Sequence, residues 1–410
     1  MDIALRLTDM SVNLANQVYA ILENSPVIDG HNDLLIRLRG MSRYDFDAID
    51  IARDQSDRLH TDIPRLRAGG VGGQFWSVFV PVTMAGEEAV TATLEQIDAA
   101  WQMIERYDDF EFAGTADEIE TAVANGRIAS LMGIEGGHSI GNSLGTLRMM
   151  YRLGARYMTL THTSNTDWAD SGTDEVGVGG LSRFGREVVA EMNRLGMLVD
   201  LSHVAPSTMR HALAVSEAPA FFSHSNALAK CGHPRNVPDD VLDLVGQTQG
   251  IVMATFVPGF LTEAARVWMD ALEAEEGRTP SEWLADGTNE DEYRLRRERR
   301  LAWLAKNPCP PVSSADVADH LDYMRDRIGV DCIGIGGDLD GIATTPIDLT
   351  DVAAYPKLFE ELLRRGWSDE DVAKVSFKNL VRVVRRTEEV ARKASADRGP
   401  SRATIEQLDR

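Results

Sequence analysis

The chain has 410 residues, of which 43% are hydrophobic and 26% are charged, and this composition is typical of a soluble globular protein. Its formal net charge of −22 argues against binding to nucleic acid or to an anionic membrane. The three cysteines form no Cys-x-x-Cys motif, so we expect free thiols. No apolar run approaches the ~18 residues of a membrane span. Because the N-terminus also lacks the features of a secretory signal peptide, we predict a cytoplasmic protein.

Short apolar segments alternate with helical patterns along the chain. Strands are predicted at 27–29, 75–80, 128–134, 157–160, 197–201, 220–222, 250–256 and 332–335, and helices at about 12–24, 87–107, 145–153, 183–195, 205–215, 350–365 and 369–393. This alternation predicts an α/β fold, a parallel (β/α)8 barrel of the TIM type. Ser368 and Asp371 have the spacing of a capping box at the start of the last helix.

We expect a single metallohydrolase domain over residues 1–395. A charged, helix-prone insertion at about 261–312 interrupts the pattern between the last two strands; it is either a cap or interface, or a merely solvated excursion. The stretches 38–62 and 163–181 read as loops, and the polar tail at 396–410 is expected to be frayed.

The first predicted strand leads into His31 and Asp33, with one residue between them. Side chains at i and i+2 of an extended strand point to the same side, so this pair can bind one divalent metal ion such as Zn²⁺. A single His-x-Asp is more often a turn with a capping aspartate and a surface histidine. The metal site is favoured because histidine or acidic residues follow five later strands: Glu135, His162, His203, His224, Asp338 and Asp340.

In such a barrel the C-terminal ends of the strands meet on one face, and the strand-end residues can hold two metal ions there. Two neighbouring divalent ions need a bridging carboxylate and further ligands on each side. We predict two Zn²⁺ per chain, one bound by His31 and Asp33, the other by His203 and His224, with Glu135 as the bridge. Water between two zinc ions becomes hydroxide near neutral pH and can attack an amide carbonyl.

The other strand-end residues are candidates for proton transfer and substrate contact. We predict that Asp338 moves the proton from the water to the leaving amine; Asp340 could share this role, but holding the turn with Gly341 is the favoured interpretation. His162 is predicted to bind and polarise the substrate carbonyl, and the alternative is a core histidine bound to the backbone.

Arg235 follows the sixth strand and can clamp a substrate carboxylate through two parallel hydrogen bonds. The alternative is an ion pair with Asp239 or Asp240. His138 is a candidate to orient Glu135, and the remaining histidines are interpreted as ordinary surface or core residues: His60, His211, His233 and His320.

The motifs around these residues resemble those of the membrane (renal-type) dipeptidases, zinc metallopeptidases of the amidohydrolase-like superfamily. The resemblance runs from about residue 27 to 341, and the segments that carry it are 29–33, 72–76, 135–139, 160–162, 200–203, 222–225, 235–239 and 336–341.

The resemblance implies a binuclear zinc site that hydrolyses dipeptides, including those with a D-configured C-terminal residue, and it implies a homodimer. The family's metal ligands fall on the five residues derived above, and its substrate contacts fall on His162, Arg235 and Asp338. The residues leave two other functions open: a two-metal amidohydrolase acting on cyclic amides, lactones or phosphoesters, and a non-catalytic barrel that serves as a binding protein.

Overall fold

The computed structural model describes residues 13–276 and 290–409, except for the side chains of 276 and 290–297. A parallel barrel of eight strands lies at its centre, as the sequence predicts. In the described residues the strands are β1 (Val27–Asn32), β2 (Val71–Phe79), β3 (Phe110–Phe112), β4 (Ile128–Glu135), β5 (Ala155–Thr159), β6 (Leu198–Asp200), β7 (Phe221–Phe222), β8 (Ile251–Ala254) and β9 (Ile333–Ile335).

The pairing order is β2-β1-β9-β8-β7-β6-β5-β4, and a further pairing of β2 with β4 closes the barrel. Strand β3, which was not predicted, pairs with the first three residues of β4 and lies outside this ring. At three residues it is too short to show the alternation on which strand prediction depends. The helix after it, Ala116–Ala124, was also not predicted.

Helices surround the barrel and connect its strands. Their bounds are 13–22, Leu34–Ser42, Ile63–Ala68, Glu87–Arg106, Ala116–Ala124, Leu144–Arg152, Arg183–Leu195, Pro206–Val215, Asp239–Thr248, Pro258–Leu261, Glu263–Glu276, Glu290–Lys306, Ser314–Ile328, Tyr355–Arg364, Asp369–Ala373, Asn379–Asp397 and Ile405–Asp409. The predicted capping box of Ser368 and Asp371 is confirmed. No helix in the described residues is long and apolar enough to cross a lipid bilayer.

The barrel strands are buried on both faces, because side chains fill the interior and helices cover the outside. The interior is aromatic at its centre, where the rings of Phe75, Tyr157 and Phe221 contact one another. Gly133 makes room for this cluster, since a Cβ atom there would lie 1.9 Å from the Tyr157 ring.

Two loop expectations were wrong in part. The stretch 38–62 begins inside a helix, Leu34–Ser42. The C-terminal tail is not frayed within the described residues, because it ends in the helix Ile405–Asp409, where Ile405 is only 4% exposed. The described part of the insertion is helical, Glu263–Glu276 and Glu290–Lys306. The division into one domain with an insertion stays a prediction.

Candidate active site

The C-terminal ends of the strands bring the predicted metal ligands together. His31 and Glu135 are the last or near-last residues of β1 and β4, and His203 and His224 lie just beyond β6 and β7. All of these side chains and Asp33 are between 0% and 7% exposed. Ligand atoms approach within 4.8 Å of one another in three groups: His31, Glu135 and His224; Glu135, His162 and His203; and His31, Asp33 and Asp338.

Glu135 lies at the centre, and its two oxygens face different histidines. Oε2 is 3.4 Å from His31 Nε2, whereas Oε1 is 3.0 Å from His203 Nε2. Oε1 is also 3.6 Å from the Nε2 atoms of His162 and His224. A carboxylate placed in this way can contact two ions at once.

The donor atoms fit divalent metal ions. His31 Nε2 and Asp33 Oδ1 are buried and have no hydrogen-bond partner among the described residues. The Nε2 atoms of His203 and His224 face each other at 3.0 Å. Buried polar atoms are normally paired, and a cation is the group that accepts imidazole nitrogen and carboxylate oxygen together.

The histidines of the site differ in their proton affinity. Burial lowers the pKa of His162, His203 and His224 well below the ordinary value, which keeps these rings neutral and able to bind metal. Burial also acts to lower the pKa of His31, but Tyr157, Glu135 and Asp33 beside it raise this pKa well above the ordinary value.

Burial raises the pKa of the two central carboxyl groups, whereas it acts to lower the pKa of the histidines. The pKa of Glu135 is raised because its charge is desolvated and Asp33 lies nearby. The pKa of Asp338 is raised well above the ordinary value, again through burial first. Burial therefore disfavours the ionised form of both groups, and a bound cation would stabilise it.

Hydrogen bonds to the far side of the rings fix two of the histidines. The Nδ1 atom of His31 is 2.7 Å from the Tyr157 hydroxyl. His224 Nδ1 lies 2.7 Å from Ser223 Oγ, which donates to Asp200 Oδ2 at 2.6 Å. Such outer partners orient the ring and set its tautomer. These partners were not predicted, because no local sequence motif shows which core side chains meet across the barrel.

Ser77, not His138, holds Glu135. Ser77 Oγ donates to Glu135 Oε2 at 3.1 Å, whereas His138 Nε2 lies 3.1 Å from the Val80 carbonyl oxygen. The expectation that His138 orients Glu135 was wrong. Its ring turns away because Gly136 and Gly137 direct the chain into the short 3₁₀ helix Gly137–Ile140.

His162 is placed between the metal-binding groups and the open cavity. Its Nδ1 lies 3.3 Å from Thr163 Oγ1, and its ring contacts Phe79, with centroids 4.5 Å apart. Within the described chain no hydrogen bond joins the ring to a backbone carbonyl, so the alternative of a backbone-held core histidine is not what the structure contains.

The segment after β9 adopts backbone conformations that are rare for residues other than glycine. Asp338 and Asp340 have φ values of 60° and 65°, and His203 has 70°. Such conformations cost on the order of 1 kcal/mol or more each and cluster at functional sites. Gly341 is required here, because a Cβ atom would lie 2.1 Å from Asp33 Oδ2 and 2.4 Å from Asp338 Oδ1.

Asp340 has a structural role, but it anchors a neighbouring loop instead of holding the turn with Gly341, where the Gly341 N–H donates to the Asp338 carbonyl oxygen. Its Oδ1 accepts a hydrogen bond from His60 N at 2.8 Å, and its own N–H donates to His60 Nδ1 at 3.0 Å. His60 is thus not an ordinary loop histidine, because it connects the 38–62 stretch to the strand end that carries Asp338.

Arg235 is buried with part of its guanidinium unused. The residue is 4% exposed, and its Nη1 atom has no hydrogen-bond partner within the described part of the chain. The alternative of a local ion pair was wrong, since Asp239 and Asp240 pair with Arg327 and Arg210 instead. Burial lowers the pKa of Arg235 to about 10, which leaves it charged at neutral pH. It is available to an anionic ligand.

A cavity of about 350 Å³ opens above these residues, a volume typical of small-molecule sites. Its floor contains Asp33, Glu135, His162, Arg235 and Asp338. The insertion also lines the cavity, through Arg266, Met269, Asp270 and Glu273 of the helix Glu263–Glu276. This part of the insertion is therefore a cap over the site.

Comparison with known proteins identifies the family. The profile of the membrane dipeptidases (peptidase family M19) matches residues 15–398. Dipeptidase verJ of Clonostachys rogersoniana is 40% identical over 386 residues, which cover 91% of this chain and 87% of that protein. Dipeptidase 3 of Rattus norvegicus is 38% identical over 386 residues, 93% of this chain and 69% of that protein. The chain belongs to the membrane dipeptidase family. It is a hydrolase of the metallopeptidase class.

Solved structures agree with this assignment. A probable dipeptidase, PvdM, from Pseudomonas aeruginosa shares the barrel fold of this dipeptidase, with a TM-score of 0.78 at 20% identity, over 92% of this chain and 99% of that one. A metallopeptidase from Rhodobacter sphaeroides, liganded with a phosphinate mimic of the dipeptide L-Ala-D-Ala, has a TM-score of 0.72 at 26% identity, over 88% and 99%.

Proposed function

We propose that this enzyme hydrolyses the peptide bond of dipeptides at a pair of zinc ions bridged by Glu135. The observation that carries the proposal is the position of Glu135, whose Oε2 faces His31 at 3.4 Å and whose Oε1 faces His203 at 3.0 Å. His31 and Asp33 would hold one ion, and His203 and His224 the other. When bound, such ions lower the pKa of water and polarise the scissile carbonyl.

Asp338 is the proposed proton carrier. Its carboxylate belongs to the same group of ligand atoms as His31 and Asp33, so it would be within reach of a water activated by an ion held there. Burial raises its pKa, and a carboxyl group with a raised pKa can take a proton from water and pass it to the leaving amine.

His162 and Arg235 are the proposed substrate contacts. The His162 ring is neutral, because burial lowers its pKa, and it can donate one hydrogen bond to the oxygen that becomes negative during attack. The unused Nη1 of Arg235 can bind the C-terminal carboxylate of the substrate. Together they would orient the substrate, with Arg235 holding its carboxylate and His162 its scissile carbonyl.

Short peptides with a free carboxylate fit this arrangement better than the alternatives. Cyclic amides and lactones without a carboxylate would leave Arg235 buried and unpaired, which disfavours them. A non-catalytic barrel is disfavoured because the described site retains every ligand and the strand-end aspartate. The phosphinate mimic of L-Ala-D-Ala in the Rhodobacter sphaeroides relative supports including L-X-D-Y dipeptides among the substrates.

The homodimer and the cytoplasmic location stay predictions. Zinc is the proposed metal on ligand chemistry, since imidazole and carboxylate ligands also accept other divalent ions.

Hydrolysis of a dipeptide panel by zinc-loaded protein tests the proposal. The panel pairs L-X-L-Y with L-X-D-Y peptides, and the same preparation is analysed for metal content. We expect two zinc ions per chain and turnover of a subset that includes L-X-D-Y members. One ion per chain at full activity would contradict the bridged pair, and absence of turnover with two ions bound would contradict dipeptide hydrolysis.

A further inference from the structure

One wall of the cavity is apolar and is completed by the insertion. Val257, Phe260 and Met269 form a separate hydrophobic cluster, with Ile342 packed against it. All four side chains line the cavity. The first two follow β8, whereas Met269 lies on the cap helix Glu263–Glu276 and is 8% exposed.

This wall adjoins the proposed carboxylate clamp. The Arg235 guanidinium carbon lies 5.4 Å from the centroid of the Phe260 ring, so the apolar surface begins where Arg235 would hold the substrate carboxylate. In a dipeptide the side chain nearest that carboxylate is the one on the C-terminal residue. We therefore expect the wall to lie closer to the side chain of the C-terminal residue than to that of the N-terminal residue.

We propose that the wall formed by Phe260 and Met269 selects dipeptides whose C-terminal residue carries a large apolar side chain. The inference rests on the proposed dipeptide hydrolysis and adds its substrate class. A side chain such as leucine or phenylalanine would cover more of the remaining exposed apolar surface of the wall than alanine would.

Met269 packs against the main chain of the segment that follows β8, at Gly259. A Cβ atom at Gly259 would lie 2.5 Å from Met269 Cε and 2.7 Å from its Sδ, so the thioether packs directly against the main chain at this glycine. The contact holds the cap helix close to the cavity. The flexible thioether can adjust to different apolar ligands, which suits a pocket for a class of side chains.

The charged residues of the cap helix do not form a second clamp. Arg266 lines the cavity, but its Nε lies 2.7 Å from Glu263 Oε2 and its Nη1 lies 2.9 Å from Asp270 Oδ2. Its charge is thus balanced by two carboxylates. An acidic C-terminal side chain would have to displace these partners, so we expect such substrates to be disfavoured.

The test measures kcat/KM of the zinc-loaded enzyme on L-Ala-X, with X being alanine, leucine, phenylalanine or aspartate in both configurations. The wild type should prefer leucine or phenylalanine. In Met269→Ala, the ratio of kcat/KM for L-Ala-Phe to kcat/KM for L-Ala-Ala should fall about ten-fold. Met269→Leu, which conserves volume, should keep the wild-type ratio. Val267→Ala is the matched control, because Val267 is on the same helix and is 59% exposed.

The results distinguish failure of the proposed selectivity from failure of the proposed dipeptide hydrolysis. Loss of the preference in Met269→Ala alone, with turnover of L-Ala-Ala retained, supports the inference. Turnover without preference for apolar residues, an unchanged ratio in Met269→Ala, or a preference for aspartate overturns it and leaves dipeptide hydrolysis intact. If the zinc-loaded wild type cleaves no member of the panel, the proposed function fails and the inference fails with it.

Discussion

The metal-binding cluster and the cap helix meet at one cavity, but they are built in different ways. The cluster collects seven side chains from the ends of six strands: His31, Asp33, Glu135, His162, His203, His224 and Asp338. Neighbours in the barrel hold several of them, as Ser77 holds Glu135 and Tyr157 holds His31. The cap helix Glu263–Glu276 is one continuous segment, with Val267 exposed on its outer side.

Chemistry and the proposed selectivity thus depend on different parts of the chain, the strand ends and the cap helix. Strand ends are fixed by a barrel whose strands are buried on both faces, so ligand positions cannot shift without cost to the core. A helix inserted between two strands can change without disturbing the barrel, because connecting segments tolerate substitution. Changes in the cluster should therefore alter turnover and metal content, and changes in the cap should alter the choice of substrate.

Substitution of Glu135 should have the largest effect on metal content and turnover. Glu135→Gln removes the charge that both metal groups share, and we expect loss of metal and a fall in kcat of about a thousand-fold or more, the equivalent of several kcal/mol. Metal analysis after dialysis, together with kcat, measures it. Glu120→Gln, on the remote helix Ala116–Ala124, is the control. Retention of two metal ions by the Glu135 variant would exclude the bridging role.

Asp338→Asn separates proton transfer from metal binding within the cluster. The amide keeps the shape of the side chain but cannot accept and return a proton, so kcat should fall by about a hundred- to a thousand-fold. Both metal ions should remain bound. Normal turnover would assign the proton transfer to another group, and loss of metal would make Asp338 a ligand.

Much of this cluster was predictable because the strand-end rule converts a sequence position into a place in space. Once eight apolar segments were recognised as barrel strands, residues as distant as His31 and Asp338 had to face one cavity. The partners behind the ligands were not predictable in the same way. Tyr157 and Ser77 lie within strands, and which of their neighbours they contact depends on register and barrel closure. No local motif encodes either.

The cap was predicted only as one of several possibilities. Its charged, helical pattern indicated a helix, but composition does not say against what a helix packs. The helix packs on the barrel through several residues: Met269 contacts Gly259, Ala265 joins the main hydrophobic core, and Glu263 accepts a hydrogen bond from the Gly232 N–H. Contacts of this kind appear only in three dimensions.

Arg235 links the two regions, since it lies beside His224 and under Phe260. Arg235→Ala should raise KM about thirty-fold, because a charge-assisted hydrogen bond contributes about 2 kcal/mol, with a smaller change in kcat. Arg235→Lys should recover only part of the loss, since an ammonium group lacks the fork geometry. Steady-state kinetics on one good substrate provides the measurement. An unchanged KM would remove the clamp from the mechanism.

Tyr157→Phe tests whether the ligands depend on the barrel interior behind them. The variant removes the hydroxyl that lies 2.7 Å from His31 Nδ1 and keeps the ring packed on Phe75 and Phe221. We expect metal affinity to fall by about ten-fold or more, as measured by competition with a chelator. Phe75→Leu, which alters packing but no hydrogen bond of His31, is the control. Equal affinities in wild type and Tyr157→Phe would show that packing alone orients His31.

The smallest effect is expected far from both regions, at the C-terminal helix. Asp409 accepts hydrogen bonds from Ser182 Oγ at 2.6 Å and from the backbone N–H groups of Arg183 and Phe184 at 3.0 and 3.1 Å. The carboxylate thus sits at the positive N-terminal end of the helix Arg183–Leu195 and also binds its free N–H groups.

Asp409→Ala should lower the free energy of unfolding by about 1 kcal/mol, measured by urea denaturation, and should leave kcat/KM unchanged. The exposed Asp397, at the end of the helix Asn379–Asp397, offers a matched aspartate for comparison. If Asp409→Ala changed activity as well as stability, the helix Arg183–Leu195 would have to transmit strain to His203 through β6, which begins three residues after it. Chemistry and selectivity would then share the scaffold more closely than the separate construction of cluster and cap implies.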